Sequence, residues 1–337
     1  MPKLWESKAK TGASLAVRRR HGFATTAMPA IHVAFPTTQR TINLVEISRP
    51  MPTAATRSEL ERLLEDDAPY GDLTTEALGL AGREGVMRFT ARDPMVVALV
   101  EDAGAIIELT GCAVKLFASA GTELAKDAKI LEARGPAAGL LRSWKVAQTL
   151  IELWSGVATD ARALVDAARA VAPDIAVACT RKNVPGVKCF AVAAIKAGGA
   201  VMHRLGLSET VLVFPEHRVF LGAEPLAQTV ARLRRLGPEK KLVIEVTSID
   251  MAVAAIKAGF DVIQAEKFTP ELISALMQQT SHIAPKPTIA AAGGVNLGNI
   301  ADYARAGVDV VVTSSPYLAK PRDVQVRIAR PSDILPI

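Results

Sequence analysis

The stretch CTRKNVPGVKCFAVAAIKAGGAVMHRL, residues 179–205, decides the fold that we predict. The apolar run at residues 175–178, directly before it, is typical of a buried strand. The pair Pro185–Gly186 then marks a turn, because proline presets φ and glycine accepts tight geometry. Apolar residues at helical spacing follow until the pair Gly198–Gly199 ends the pattern. A strand joined to a helix by a short turn is the repeating unit of parallel α/β folds.

Basic residues cluster at the two ends of this predicted helix: Arg181, Lys182, Lys188, His203 and Arg204. No Asp or Glu occurs between Ala176 and Ser208, and small apolar residues separate the cations. A solvated basic loop is the ordinary interpretation of an isolated charge run. The purely cationic composition favours an anion-binding site instead, because parallel α/β folds bind ligands where a strand passes into a helix.

The same alternation of strand and helix continues to the end of the chain. Strands are predicted at 175–179, 210–214, 241–246, 261–265, 287–291 and 309–313, and helices at 186–197, 223–236, 249–258, 270–280 and 297–306. At least six such units predict a closed or nearly closed barrel, with a doubly wound open sheet as the alternative.

The chain before residue 140 has a different pattern. A helix is predicted from Ser58, with Glu61 completing a capping box, and a turn-rich loop at 69–75. Residues 84–98 and 112–134 alternate as strands do, and a helix lies between them. Strands with a helix laid across them predict a small α+β domain ahead of the barrel. Two helical patterns over 140–169 are expected to break near Ser155–Gly156.

Composition limits the function classes. The net charge of +6 comes largely from residues 1–50, and RNA-binding aromatic motifs and zinc-ligand spacings do not occur, so we expect no nucleic-acid partner. No apolar run is long enough for a membrane helix, so no membrane insertion is expected. Three cysteines without paired spacing indicate a reducing, cytoplasmic setting. Residues 1–50 are expected to be poorly ordered, as an over-extended start before Met51 or a targeting peptide.

Polar residues recur at the predicted carboxyl ends of the barrel strands. These are the acids Glu245 and Glu266, the pair Gly293–Gly294, and Ser314 with Ser315. Glycines let a backbone approach an oxyanion, and hydroxyls add donors, so the last four predict a phosphate-binding cup. The carboxylates would hold sugar hydroxyls or Mg²⁺. For Glu245, a structural ion pair with Lys182 or Lys188 is an equally good interpretation.

Together these motifs resemble the quinolinate phosphoribosyltransferase family. The residues that carry the resemblance are Thr180–Lys182, Pro185–Gly186, Gly198–Gly199, His203–Arg204, Ile244–Val246, Gly293–Gly294, Gly307–Asp309, Asp72–Thr75 and Ser155–Thr159, within a match from about Leu60 to Ile328. The resemblance implies an incomplete (β/α) barrel of the type II phosphoribosyltransferase fold over 143–322. Ahead of the barrel it implies an N-terminal α/β sandwich over 57–142, to which a strand at 323–330 is expected to return. It also implies a homodimer with shared sites, Mg²⁺, and transfer from phosphoribosyl pyrophosphate (PRPP) to quinolinate with release of pyrophosphate and carbon dioxide.

Several positions depart from that family's pattern. Trp144–Lys145 stands where the family has Glu-Arg, Lys188 replaces an arginine, and Phe214–His217 replaces Lys-Asp-Asn-His. Glu266 replaces an aspartate, Thr247 a second acid, and Ala292 a serine. This pattern resembles the ModD subfamily, whose genes lie beside molybdate-transport genes. Fewer cations, and lysines in place of bidentate arginines, would hold a dicarboxylate less well.

The resemblance therefore predicts a pentosyltransferase that uses PRPP, Mg²⁺ and a small heteroaromatic acceptor that need not be quinolinate. The catalytic residues would be Lys182, Glu245 and Glu266, with the two glutamates also holding Mg²⁺. Substrate would bind to Lys145, Arg181, Lys188, His203, Arg204 and the wall at Phe214, and phosphate to Gly293, Gly294, Ser314 and Ser315.

Two alternatives stay open, and so does the assembly. The first is an ordinary quinolinate phosphoribosyltransferase of NAD biosynthesis, and the second is a non-catalytic sensor of an oxyanion or nucleotide for molybdenum transport.

Trp144 beside the lone cation Lys145 is typical of an interface. It favours a homodimer in which these two residues face His203, Arg204 and Lys188 of the other subunit.

Overall fold

The computed structural model describes residues 52–333, and the prediction for residues 1–50 lies outside this range. Within 52–333 no helix combines the length and the apolar run that crossing a bilayer requires. The first part of the described chain consists of α1 (Arg57–Asp67), α2 (Leu73–Ala77), β1 (Glu84–Ala91), β2 (Met95–Val96), α3 (Val100–Glu108), β3 (Ala113–Leu116), β4 (Glu123–Leu124), β5 (Lys129–Pro136) and α4 (Ala137–Arg169).

The second part alternates strands and helices: β6 (Ala176–Cys179), α5 (Lys188–Ala197), β7 (Val201–Met202), β8 (Val211–Val213), α6 (Pro215–Val219), α7 (Leu226–Leu236), β9 (Leu242–Val246), α8 (Ile249–Ala258), β10 (Val262–Glu266), α9 (Pro270–Thr280), β11 (Thr288–Ala292), α10 (Ile300–Arg305), β12 (Val310–Thr313) and β13 (Val324–Ala329). All six predicted barrel strands are present. The two-residue strand β7 and the short helix α6 were not predicted, because neither is long enough to show a period.

The parallel sheet is an incomplete barrel. Its seven strands pair in the order β7-β6-β12-β11-β10-β9-β8. The first long strand therefore pairs with the last, as Val310 beside Ala176 shows, and the sheet stays open only between β7 and β8. A doubly wound sheet would keep its first and last strands apart, so that alternative is wrong. All seven carboxyl ends meet at one rim.

A second sheet is antiparallel, and its four strands pair in the order β13-β1-β5-β3. Residues 324–329 pair with β1 from Val86 opposite Ala329 to Ala91 opposite Val324, so the chain returns to this sheet after the last barrel strand. Helix α3 packs on it through the buried Ala103 and Ile107, which share a core with Phe89. The division at 142/143 stays a prediction, because α4 runs through that border without a break.

Helix α4 corrects the predicted break near Ser155–Gly156, since its 33 residues are continuous. Gly156 is required by packing, because a Cβ there would lie 2.3 Å from the carbonyl oxygen of Lys320. The buried hydroxyl of Ser155 accepts a hydrogen bond from the N–H of Ala98 at 3.0 Å. Two small residues therefore admit neighbouring backbone to the helix instead of ending it.

Two further local predictions were wrong at the N-terminus. The capping box of α1 is formed by Thr56 and Glu59 rather than by Ser58 and Glu61, with the Glu59 carboxylate accepting from the Thr56 N–H at 2.8 Å. The loop expected through residue 75 already becomes helical at Leu73, because the Asp72 carboxylate accepts from the N–H groups of residues 74 and 75. In both cases a short polar side chain directly before the helix accepts hydrogen bonds from its free N–H donors.

Candidate active site

A cavity of about 670 Å³ opens at the rim where the carboxyl ends of the barrel strands meet. Eleven of the thirteen residues predicted for the site line it: Arg181, Lys182, His203, Arg204, Phe214, Glu245, Glu266, Gly293, Gly294, Ser314 and Ser315. The remaining predicted residues, Lys145 and Lys188, do not. The structure thus brings together residues at the ends of seven strands, separated by up to 134 positions (315 minus 181) in the chain.

The basic side of the cavity follows strands β6 and β7. Arg181 and Lys182 come directly after β6, where the hydroxyl of Tyr317 donates to the carbonyl of Thr180 at 3.0 Å and anchors the turn. Arg204 is only 6% exposed, and its guanidinium carbon lies 5.6 Å from the centre of the Phe214 ring. Burial lowers the pKa of Arg204, and the nearby positive charge of Arg181 lowers it further. A buried cation without a carboxylate partner in the described ion pairs suits an incoming anion.

His203 belongs to the same edge but differs in charge. Burial, then the neighbouring Arg204 charge, lowers the pKa of the His203 imidazole. Its ring is therefore neutral at pH 7, since its ordinary pKa already lies below that value. His203 can donate or accept one hydrogen bond but adds no positive charge to the cavity.

The acidic side is built on β9 and β10. Glu245 and Gln264 face each other across these strands, and the Gln264 amide donates to the Glu245 carboxylate at 2.7 Å. Burial, then the charge of Glu266, raises the pKa of Glu245. No ion pair among residues 52–333 includes Glu245, so the alternative of a structural pair with Lys182 or Lys188 is wrong. Its carboxylate instead faces the cavity.

The predicted phosphate cup lies at the ends of β11 and β12. Gly293 and Gly294 have φ values of +86° and +83°, which favour glycine. At Gly293 a Cβ would lie 2.6 Å from the Glu266 carboxylate, so glycine lets that acid sit against the backbone. Thr313 ties the two strand ends together, because its hydroxyl donates to the carbonyl of Val295 at 2.6 Å and accepts from the N–H of Ser315 at 3.0 Å.

The helix after the cup begins later than predicted. Helix α10 starts at Ile300 rather than at 297, and the side-chain amides of Asn296 and Asn299 both donate to the carbonyl of Gly294 at 3.1 Å. These two hydrogen bonds occupy both lone pairs of the Gly294 carbonyl oxygen. The donors that the cup offers are the N–H groups of its glycines and the hydroxyls of Ser314 and Ser315, and its role in binding phosphate stays a prediction.

Lys188 and Lys145 lie elsewhere on the single chain. The Lys188 ammonium donates to the carbonyl of Leu205, and so it braces the loop that carries Arg204. Lys145 is exposed on α4, where its nitrogen lies 4.2 Å from the centre of the Trp144 ring and donates to Gln148 at 3.1 Å. Their substrate-binding roles stay predictions.

Five polar residues that line the cavity were not among the predicted site residues: Thr180, Glu216, Gln264, Asn296 and Thr313. Gln264 could have been found from strand periodicity, because residues two apart on a strand share a face and Glu266 was already identified. Its side chain is 5% exposed, and its amide oxygen has no hydrogen-bond partner within the described chain. Glu216 lies in a helix of five residues, for which sequence periodicity carries no signal.

Two of the three carboxylates that line the cavity, those of Glu245 and Glu266, suit a hard divalent cation in part. Their mutual repulsion, seen in the raised pKa of Glu245, would be relieved by such an ion. No group of three or more Asp, Glu, His or Cys residues suited to a metal occurs within 52–333. Mg²⁺ usually binds one or two carboxylates together with substrate phosphates. Glu245 and Glu266 therefore fit Mg²⁺ that is bound jointly with a substrate.

Comparison with known proteins agrees with this architecture. Family profiles described as "Quinolinate phosphoribosyl transferase" match twice, the N-terminal domain over residues 72–155 and the C-terminal domain over 157–327. The structure of the nicotinate-nucleotide pyrophosphorylase from Francisella tularensis superposes with a TM-score of 0.74 at 22% identity, over 82% of this chain and 98% of that one. At that identity the likeness shows the fold, which is the predicted one.

Two relatives are similar in sequence over most of their length. "Putative pyrophosphorylase ModD" of Rhodobacter capsulatus is 45% identical over 250 residues, which cover 74% of this chain and 95% of the relative. "Probable nicotinate-nucleotide pyrophosphorylase [carboxylating]" of Methanothermobacter thermautotrophicus is 30% identical over 80% of this chain and 97% of its own. The predicted resemblance is confirmed: this chain belongs to the quinolinate phosphoribosyltransferase family, a family of pentosyltransferases.

Proposed function

We propose that this chain transfers the phosphoribosyl group of PRPP to a ring nitrogen of a heteroaromatic acceptor and releases pyrophosphate. The observation that carries the proposal is the single cavity in which Arg181, Lys182 and Arg204 face Glu245 and Glu266 beside a glycine cup. Cations and backbone donors suit phosphates, and carboxylates suit sugar hydroxyls, so the set matches a phosphorylated sugar.

The donor would be held by both sides of the cavity. Arg181 and Lys182 would neutralise pyrophosphate, where a guanidinium can bind two oxygens at once. The 5-phosphate would lie in the cup of Gly293 and Gly294, with the hydroxyls of Ser314 and Ser315 as donors. The ribose then lies between the cations and the acids, with its C1 near the centre of the cavity.

The acids would act on the ribose. Breaking the bond between C1 and pyrophosphate leaves positive charge on the sugar ring, and Glu245 would stabilise that charge in a partly desolvated site. Gln264 holds one Glu245 oxygen at 2.7 Å and so fixes the direction of the other. Glu245 and Glu266 would hold Mg²⁺ together with the pyrophosphate, and the ion would supply positive charge next to that leaving group.

A second candidate is quinolinate itself as the acceptor, with release of carbon dioxide. Relatives named "nicotinate-nucleotide pyrophosphorylase [carboxylating]" favour it. The wall at Phe214 speaks against it, since this apolar ring offers no charge to a carboxylate. Lys188, another expected partner for a carboxylate, contacts the carbonyl of Leu205 instead. We therefore favour an acceptor other than quinolinate.

We also propose a cytoplasmic homodimer with shared sites. Large apolar side chains lie almost fully exposed on the single chain, among them Tyr70 at 97% and Phe220 at 89%, and a partner surface would cover them. Lys145 beside Trp144 would then add a cation to the mouth of the other subunit's cavity. The three free cysteines favour a reducing compartment.

Pyrophosphate release tests the proposal. The purified protein, PRPP and Mg²⁺ are incubated with a panel of pyridine and purine acceptors, and released pyrophosphate is measured for the wild type and for Glu245→Gln. We expect release with at least one acceptor and a loss on the order of a hundredfold in the variant. Tight binding of molybdate or a nucleotide by calorimetry, without any turnover, would instead identify a sensor.

A further inference from the structure

The charges that line the cavity balance, which limits the acceptor. Three basic side chains line it (Arg181, Lys182 and Arg204), and so do three carboxylates (Glu216, Glu245 and Glu266). His203 adds no charge because its pKa is lowered by burial. In the proposed donor complex Arg181 and Lys182 face the pyrophosphate and the glycine cup takes the 5-phosphate, so Arg204 is the one lining cation left for an acceptor, and Lys145 from a second subunit would add only one more. An acceptor with two carboxylates would also meet the negative charge of Glu216.

The end of β8 supplies a flat apolar wall. Phe214 lines the cavity together with the apolar side chains of Leu212, Val312 and Leu318. Its ring is held by Arg204 and by the ring of His217, whose plane is inclined by 18° at a centroid distance of 5.9 Å. A rigid aromatic surface of this kind suits contact with another flat ring.

Glu216 stands next to this wall. It is exposed to the cavity, and neither an ion pair nor a hydrogen bond engages its carboxylate within residues 52–333. Its charge reaches Glu245, where it contributes to the raised pKa of that group. A free carboxylate only accepts hydrogen bonds and repels other carboxylates. A ligand beside Glu216 is therefore expected to donate.

We propose that the acceptor is an uncharged heteroaromatic ring with N–H donors, which stacks on Phe214 and donates to Glu216, and that this wall rejects pyridine carboxylates. The inference rests on the proposed function. A lone pair on a ring nitrogen forms the new bond to C1 of the ribose as the bond from C1 to the pyrophosphate oxygen breaks. Pyrophosphate leaves with that electron pair and takes the ring N–H proton. No carbon dioxide is formed, because no carboxyl group is lost.

The test compares two classes of acceptor, using the full-length protein in the assembly that it forms in solution. Adenine, hypoxanthine and benzimidazole represent rings with N–H donors, and quinolinate and nicotinate represent carboxylates. Pyrophosphate and carbon dioxide release are measured for each with PRPP and Mg²⁺, and PRPP binding is measured separately by calorimetry. We expect turnover of at least one N–H heterocycle, at least about tenfold better than either carboxylate, without carbon dioxide.

Two variants test the wall itself. Glu216→Gln removes the charge and keeps the shape, so the KM for the favoured heterocycle is expected to rise on the order of tenfold with little change in kcat. Glu239→Gln, an exposed acid outside the cavity, is the matched control and should change neither value. An unchanged KM in folded Glu216→Gln would overturn the role of this residue.

The outcomes separate this inference from the proposed function. Preference for quinolinate with carbon dioxide release overturns the inference and leaves PRPP-dependent transfer standing. PRPP binding without turnover of any N–H heterocycle overturns it as well. Failure to bind PRPP at all overturns the proposed function.

Discussion

Replacing Gly293 with alanine tests whether the close approach of Glu266 to the cup holds this carboxylate in the cavity. At a φ of +86°, an alanine would have to adopt the left-handed backbone conformation, which destabilises the folded protein by about 1–2 kcal/mol. The new Cβ would also lie 2.6 Å from the Glu266 carboxylate oxygen and 2.8 Å from Cγ of Lys267. Relieving that overlap costs on the order of 1–3 kcal/mol more. The total destabilisation is therefore roughly 2–5 kcal/mol.

A matched control separates the backbone cost from the overlap. Gly259 ends helix α8 with a φ of +96°, and a Cβ there would meet only Val230 Cγ1 at an ordinary 3.7 Å. Gly259→Ala should therefore lose only about 1–2 kcal/mol. In thermal unfolding, each kcal/mol lowers Tm by roughly 2–4 °C, so Gly293→Ala should melt clearly below its control.

Activity gives a second measurement. Moving the Glu266 carboxylate by about 1 Å is expected to cost on the order of a hundredfold in pyrophosphate release, whereas Gly259→Ala should keep the wild-type rate. Equal Tm losses in the two variants would refute the overlap. Full activity in Gly293→Ala would refute the idea that this contact positions Glu266.

Three further predictions concern charge, assembly and thiol chemistry. Burial raises the pKa of Glu245, and the charge of Glu266 raises it further. The ionised carboxylate therefore destabilises the folded protein at a pH above the unfolded pKa, whereas below that value the group is protonated in both states and costs nothing. Glu245→Gln should therefore raise Tm at pH 7, and the gain should shrink as the pH falls toward the unfolded pKa of about 4.3 and be absent below it; a gain independent of pH would contradict this. Mixing Lys145→Ala with Glu245→Ala should restore activity in about a quarter of the sites if subunits exchange, and sedimentation as a monomer would rule this out. Burial raises the pKa of Cys179 to about 12, so its thiolate is roughly a thousandfold scarcer than that of an ordinary cysteine. Iodoacetamide, followed by mass spectrometry, should label Cys179 only after unfolding.

Sequence periodicity determined most of the barrel and much of the candidate site. The six strands and the helices between them were predicted within a few residues, because burial of alternate or every third to fourth residue is a local property of the chain. Parallel strands share one carboxyl edge, so Glu245, Glu266 and Gly293 could be expected at one rim before any coordinates were known. The cations after β6 followed from the same rule, whereas His203 and Arg204 were found only as basic residues at one end of a predicted helix, because β7 was not predicted.

Only the tertiary structure decided where individual side chains go. Gly156 looked like a helix stop and is instead the contact point for the backbone of Lys320, 164 positions (320 minus 156) away in the chain. Lys188 carries the same charge as Lys182, yet it binds the carbonyl of Leu205 while Lys182 lines the cavity. A strand at 323–330 was expected to return to the N-terminal sheet, but only the structure gives its partner, β1, and their register across more than two hundred residues. The pattern of a strand or helix depends on neighbours in the chain, whereas the direction of a side chain depends on packing partners that are distant in the chain, and no short-range pattern encodes them.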